Sequence, residues 1–376
     1  MSGLVVMINK DRIIDTFARL LRINSPTFQE HEIIEYIKGE LSKQGFQVYI
    51  QEYGQSANLI ARKKGTLFDC PTIILNAHTD TVEDTSSIEF ENNGIHFKST
   101  GKTILGSDDK SGIAQIIEAV RVISENNIPH GTIEIVFTSA EEKGLIGAKN
   151  LDTTLIEGKY ALVLDCSGPV GNLIIAAPTH ITYTMTIIGK SAHAGIEPEK
   201  GINAIRVASE IIMAIPDGRI DEYSTANVGV INGGSATNIV PKEVVLRGEI
   251  RSHNKEVING NWDFLTSKAY EITDKYKAGL KIDKTIEYEA FRIKEDEPFL
   301  ITIQDAYKRC AINPCLTITG GGSDANIFNQ NGIKAINISN GMQSVHSQDE
   351  FILLEDLIKG AEVVLEVIRQ MKELKE

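Results

Sequence analysis

Three nearly continuous apolar runs, each leading into a histidine or a carboxylate, constrain this chain more than any other feature. They are "TIILNAH" (72–78), "GTIEIVFTSA" (131–140), which runs into Glu141 and Glu142, and "YALVLDCS" (160–167), which carries Asp165. Strands of this kind cannot turn either face to water. They belong in a sheet covered on both sides, as in α/β domains. Runs with helical periodicity lie around them: "DRIIDTFARLLRI" (11–23), "EHEIIEYIKGELSKQGF" (30–46) and "SGIAQIIEAVRVISENN" (111–127).

Near residue 178 the pattern changes, and "THITYTMTIIGK" (179–190) alternates like a half-exposed antiparallel strand. A helix at 201–214, the strands "ANVGVING" and "EVVLRGEIRS", a helix near 255–277 and the strand "KIDKTIEYEAF" follow. This β-α-β-β-α-β order suits a small open-faced sheet with helices on one side. From about 292 the α/β pattern returns, with a helix at 296–309, "CLTITGGGSD", "KAINISNG" and a closing helix at 354–374. The expected architecture is an α/β domain, residues 1–178 and 292–376, interrupted by an α+β, ferredoxin-like domain at 179–291. A length of 376 residues agrees with two domains.

Composition narrows the partners. A net charge of −13 argues against nucleic acid or an anionic membrane, because both require a basic patch. The early apolar run "LVVMI" (4–8) is too short for a signal peptide or a membrane helix. Cys70, Cys166, Cys310 and Cys315 form no Cys-x-x-Cys pair, so reduced thiols in a cytoplasmic protein are expected.

In "NAHTDTV" (76–82), His78 and Asp80 are two residues apart and project from one face of an extended chain. "ILGSDDKSG" (104–112) adds Asp108 and Asp109 before a helix, and "QSVHSQDE" (343–350) adds His346. Each residue alone has an ordinary reading. Asp108 would cap a helix, Glu141 and Glu142 would form an acidic first turn, Asp165 would end a strand and His346 would be a loop residue. Those readings leave unexplained why they recur at successive strand ends, where open α/β sheets bind ligands. Histidine and carboxylate ligands suit zinc, cobalt or manganese. The set His78, Asp108, Glu142, Asp165 and His346 offers five ligands, more than one four-coordinate ion needs, and two ions sharing a carboxylate account for the number. Asp80 would then fix the tautomer of a ligating His78. Of the adjacent glutamates, one would ligate and the other act as general base.

The stretches "HTDTV", "GSDDKSG", "TSAEEKG", "DCSG", "GKSAHAG", "NGGSATNIVP" and "VHSQDE" occur in this order. Together they resemble the co-catalytic zinc exopeptidase and deacylase family that includes peptidase T, carboxypeptidase G and acetylornithine deacetylase. Three of its segments, "GKSAHAG", "GGSATNIVP" and "RGEIRSHN", are most similar to peptidase T-like members. The segment between Asp80 and Asp108 is shorter than in peptidase T, and "MQSVHSQDE" is more like the wider family.

The resemblance implies a zinc-exopeptidase-like α/β/α catalytic domain whose inserted domain is a lid and dimerisation module. It implies His78, Asp108 and Asp165 as ligands of one metal and Asp108, Glu142 and His346 as ligands of the other. Asp80 is then the histidine-orienting acid and Glu141 the general base, with a cis peptide bond between Asp108 and Asp109. His193, Asn238, Arg251 and the loop containing Gly321 and Gly322 are implied to meet the substrate. His193 would stabilise an oxyanion and Arg251 would hold a substrate carboxylate through a paired fork.

The expected function is therefore hydrolysis of a peptide bond in small peptides by a homodimeric aminopeptidase of tripeptidase type with two divalent ions, zinc before cobalt or manganese. An N-acyl-amino-acid deacylase is the alternative within the family. A catalytically silent metal-binding or scaffold protein is the alternative of another class. The glycines at 320–322 lack both the Gly-Lys-Ser/Thr ending and the strand-to-helix Gly-x-Gly-x-x-Gly setting of nucleotide loops.

Overall fold

The strand Ile73–His78 lies between Ile133–Thr138 and Tyr160–Cys166, parallel to both, with Ile73 opposite Ile133 and Tyr160. Every residue of Ile73–His78 and of Ile133–Thr138 is buried, so both faces of the sheet are covered there. The computed structural model describes residues 7–374, and residues 4–6 of the early apolar run fall outside that range. The described residues form two compact units. One holds residues up to Ile175, Arg292–Ile318 and those from Ser323 onward; the other holds Ala176–Phe291 and Thr319–Gly322.

The large sheet, whose strands lie almost entirely in the first unit, runs Gln47–Tyr53, Ser56–Lys63, Ile133–Thr138, Ile73–His78, Tyr160–Cys166, Lys334–Ser339, Asn172–Ala177 and Phe291–Arg292, with Cys315–Ile318 beside Asn172–Ala177. Lys334–Ser339 continues the parallel set, whereas Ser56–Lys63 and Asn172–Ala177 join it antiparallel. The parallel strands share one carboxyl edge. Phe17, Leu20 and Leu21 of the helix Lys10–Arg22 are fully buried in the core. They join Ile113, Ile116 and Ile117 of Ser107–Glu125 and Leu357, Ala361 and Val364 of Leu354–Gln370 in one hydrophobic cluster.

The second unit is an antiparallel sheet in the order Gly218–Asp221, Ser224–Gly233, Glu243–Ser252, Thr179–Ile188, Gly279–Tyr288. Without its short first strand this is the ferredoxin-like order. Thr179–Ile188 alternates between buried and half-buried positions, as its sequence predicts. Ile181, Tyr183, Met185 and Ile187 pack with Val207 and Ile211 of Ala204–Ala214 and with Leu265 and Ala269 of Lys255–Tyr276.

Among the strands, the sequence reading omits Asn172–Ala177, Gly218–Asp221 and a small sheet of Met342–Gln343, Phe351–Leu353, His96–Ser99 and Phe90–Asn92. Most of these strands are two to four residues long and are defined by distant partners rather than by a period of their own. No helix among the described residues is long and apolar enough to cross a membrane.

Candidate active site

The shared carboxyl edge gathers the candidate ligands. His78 is the last residue of its strand, Asp165 is one from the end of Tyr160–Cys166, and Glu141 and Glu142 follow Ile133–Thr138. Asp108 lies in the first turn of Ser107–Glu125, and His346 lies between Met342–Gln343 and Phe351–Leu353. His78 Nε2 is 2.9 Å from Asp108 Oδ1 and 3.8 Å from Asp165 Oδ1. His346 Nε2 is 3.2 Å from Asp108 Oδ2 and 2.9 Å from Glu142 Oε1.

Two groups result, His78–Asp108–Asp165 and Asp108–Glu142–His346, each with its candidate donor atoms within 4.8 Å of one another and with Asp108 in common. His78, Glu141 and Glu142 also meet that criterion. His78 and Asp108 are buried, Asp165 and Glu142 half-buried and His346 exposed. The Asp108–Asp109 peptide bond is cis.

The electrostatics favour a cation. Burial, and then the charge of Asp165, push the Glu141 carboxyl well above the usual range. Burial likewise raises Asp165. Burial opposes protonation of His78, but hydrogen bonds to Asp108 and Asp80 outweigh it and leave its pKa raised well above the ordinary histidine value. Hydrogen bonds to Asp108 and Glu142 lift His346 to about 10. Several carboxylates converging in a largely buried cluster repel one another, and cations relieve that cost. Two imidazoles with three carboxylates match the donors that zinc, cobalt and manganese take. The residues present therefore fit a pair of divalent ions.

Asp80 sits where a histidine-orienting group is needed, but it acts through two atoms. His78 Nδ1 is 3.0 Å from the Asp80 backbone carbonyl and 3.5 Å from its carboxylate. That carboxylate also accepts hydrogen bonds from the Glu141 N–H at 2.9 Å, the Glu142 N–H at 3.3 Å and the Thr27 hydroxyl at 2.7 Å. One acid thus ties the first histidine to the paired glutamates.

Sequence reasoning missed several supporting residues. Glu30 accepts from the Ala140 N–H at 2.9 Å. The Asn337 side chain accepts from the Asp165 N–H at 2.9 Å and donates to the Asp165 carbonyl at 2.7 Å. Asn340 donates to Asp109 at 2.8 Å, and Asp324, buried, accepts from Asn76 and from the Thr138 hydroxyl. The Glu350 carboxylate binds the turn that carries Asp108.

The remaining candidates lie in the second unit. His193 and Asn238 are both exposed, in paired segments: His193 bridges to Ile239, and the Ala194 N–H donates to the Asn238 carbonyl at 2.9 Å. Arg251 is engaged by protein groups. Its Nε and Nη2 donate to the two oxygens of Glu249 at 3.1 and 3.2 Å, while Nη1 donates to the Gly320 carbonyl at 3.2 Å. Glu249 lies two residues earlier on the same strand and shares its face, so it takes the paired fork expected for a substrate. Gly322 packs on a ring: a Cβ there would stand 2.2 Å from Tyr288 Cζ, whereas one on Gly321 would approach only Thr319 Oγ1 at 3.7 Å.

Residues 74–370 match the profile of peptidase family M20/M25/M40. An uncharacterized protein of Bacillus subtilis, YqjE, is 38% identical over 370 residues, covering 97% of this chain and 99% of its own. The crystal structure of the tripeptidase of Staphylococcus aureus superposes with a TM-score of 0.93 at 34% identity, covering 98% of this chain and 100% of its own. That of aminopeptidase PepT of Bacillus cereus gives 0.90 at 35% identity, covering 97% and 99%.

Proposed function

The chain belongs to peptidase family M20/M25/M40, and from that premise we propose that it is a dinuclear metallo-aminopeptidase that releases the N-terminal residue of small peptides, tripeptides foremost. The observation that carries this reading is the pair of ligand triads sharing Asp108, with Glu141 beside them. Similarity along nearly the whole chain to a tripeptidase and an aminopeptidase supports the choice of substrate.

His78, Asp108 and Asp165 would hold one ion and Asp108, Glu142 and His346 the other, with zinc ahead of cobalt or manganese. Bound there, such ions would polarise a scissile carbonyl and lower the pKa of water toward about 7. Glu141, beside the candidate ligands His78 and Glu142, takes the proton of the attacking water and passes it to the departing amine. Positioned acid–base catalysis of this kind contributes roughly 10²–10⁴-fold. Asp80 holds the backbone of Glu141 and Glu142 while the proton moves.

His193 stabilises the developing oxyanion, and Asn238 and the loop containing Gly321 and Gly322 orient the peptide. Arg251 attracts the peptide's carboxylate in competition with Glu249. The second unit serves as lid and dimerisation module, and four free cysteines accord with a cytoplasmic setting.

A panel of free tripeptides, dipeptides and N-acetyl amino acids tests the assignment. Tripeptides should be cleaved fastest, with the first residue released. Preference for the N-acetyl amino acids would replace this reading with deacylation.

A further inference from the structure

Glu350 is fully buried and lies four residues after His346. It closes the stretch "VHSQDE", but the sequence reading gives it no role there. Met342–Gln343 and Phe351–Leu353 form a hairpin, with Gln343 opposite Phe351, so residues 344–350 are its loop. His346 projects from that loop, and Glu350 closes it. Ser344 and His346 both have positive φ, at 52° and 59°, a conformation that non-glycine residues adopt only when their surroundings impose it. Inside the loop the Ser347 hydroxyl donates to the Ser344 carbonyl at 2.6 Å and the Glu350 N–H donates to the Ser347 carbonyl at 3.1 Å.

The Glu350 side chain leaves the loop and grips a different segment. Oε2 accepts the Gly106 N–H at 2.8 Å. Oε1 accepts the Ser107 hydroxyl at 2.6 Å and the Asp108 N–H at 3.1 Å. These donors open the helix Ser107–Glu125, whose cap residue Gly106 has φ 75° and supplies no side-chain cap of its own. Glu350 caps that helix from more than two hundred residues away. His346 Nε2, on the loop that Glu350 closes, is 3.2 Å from Asp108 Oδ2.

We propose that Glu350 is a positioning residue that sets the His346 loop against the Asp108 turn and so builds the half of the metal centre formed by Asp108, Glu142 and His346. The inference rests on the dinuclear reading of the site. Its test reads metal uptake rather than turnover, so a failure of the peptide assignment cannot be mistaken for a failure here. Both carboxylate oxygens accept hydrogen bonds. A glutamine keeps the shape but turns an NH₂ toward donors on one side. An alanine removes both acceptors.

Metal-stripped wild type, Glu350→Gln and Glu350→Ala are titrated with Zn²⁺ by competition calorimetry, and the chemical unfolding of each stripped protein is measured alongside. Wild type should take up two equivalents. In both variants one equivalent should bind roughly 10–100-fold more weakly, the range for loss of a partner that orients a ligand, and the other should move less. If Glu350→Ala does not fold, Glu350→Gln carries the test. A lower unfolding midpoint with both affinities within about twofold of wild type would overturn the proposal, because a purely structural cap changes stability and leaves the ligands' relative placement alone.

Discussion

Asp108 turns one carboxylate oxygen to His78 and the other to His346, at 2.9 and 3.2 Å. Its loss should therefore affect both metals, whereas loss of His346 should affect one. Metal content after dialysis checks this: Asp108→Ala should retain almost none, and His346→Ala about one equivalent. Equal retention by the two variants would contradict a shared carboxylate. Glu141 makes the converse prediction. Glu141→Ala should keep both equivalents and lose at least roughly 10²-fold in kcat; a variant that loses metal but regains turnover when metal is added back would exchange the roles of Glu141 and Glu142. The candidate ligands could be proposed from the sequence because histidine and acid at or near the ends of apolar strands form a pattern in residue type, and the structure brings them within reach of one another. Their supports were not. Asp80 meets the Glu141 N–H across 61 residues and Glu350 meets the Asp108 N–H across 242, and no spacing rule covers such pairs.

Strands buried on both faces announce themselves by composition, which is why Ile73–His78, Ile133–Thr138 and Tyr160–Cys166 could be read directly. The hairpin carrying His346 could not, because Met342–Gln343 is two residues long and is defined by its pairing with Phe351–Leu353. Nor could the engagement of Arg251 by Glu249 be foreseen from the motif alone. On Glu243–Ser252, Glu249 also lies 2.9 Å from His180 Nε2. The hydrogen bond from His180, followed by that from Arg251, holds the Glu249 carboxyl down at about 2. A carboxyl depressed in the folded state adds stability that is fully present above its ordinary value near 4.5 and is lost as pH falls through about 2. Trp262, the only tryptophan, packs edge-on against Tyr183 in the same unit and reports its unfolding. Stability followed by its fluorescence should fall between about pH 4.5 and 2, and Glu249→Gln should flatten that slope. An unchanged slope in the variant would show that the network contributes nothing to the folded unit.

At the scale of the molecule, the candidate metal ligands belong to one compact unit and His193, Asn238 and Arg251 to the other. If the second unit is the dimerisation lid proposed above and reaches across, His193 of one subunit serves the metals of the other. Mixing Glu141→Ala with His193→Ala under conditions of subunit exchange should then restore activity, because one site in each mixed dimer receives an intact Glu141 and an intact His193. Verified mixed dimers without activity would place His193 in its own subunit's site. The central claim is that two metals held by His78, Asp108, Glu142, Asp165 and His346 make this chain a peptidase. Its most direct test is to strip the protein with chelator, add back Zn²⁺, Co²⁺ or Mn²⁺ in fractions of an equivalent, and follow release of the N-terminal residue from a free tripeptide. The predicted result is no hydrolysis in the stripped protein and a rise that levels at two equivalents per chain. Full activity without metal, or saturation at a single equivalent, would contradict it.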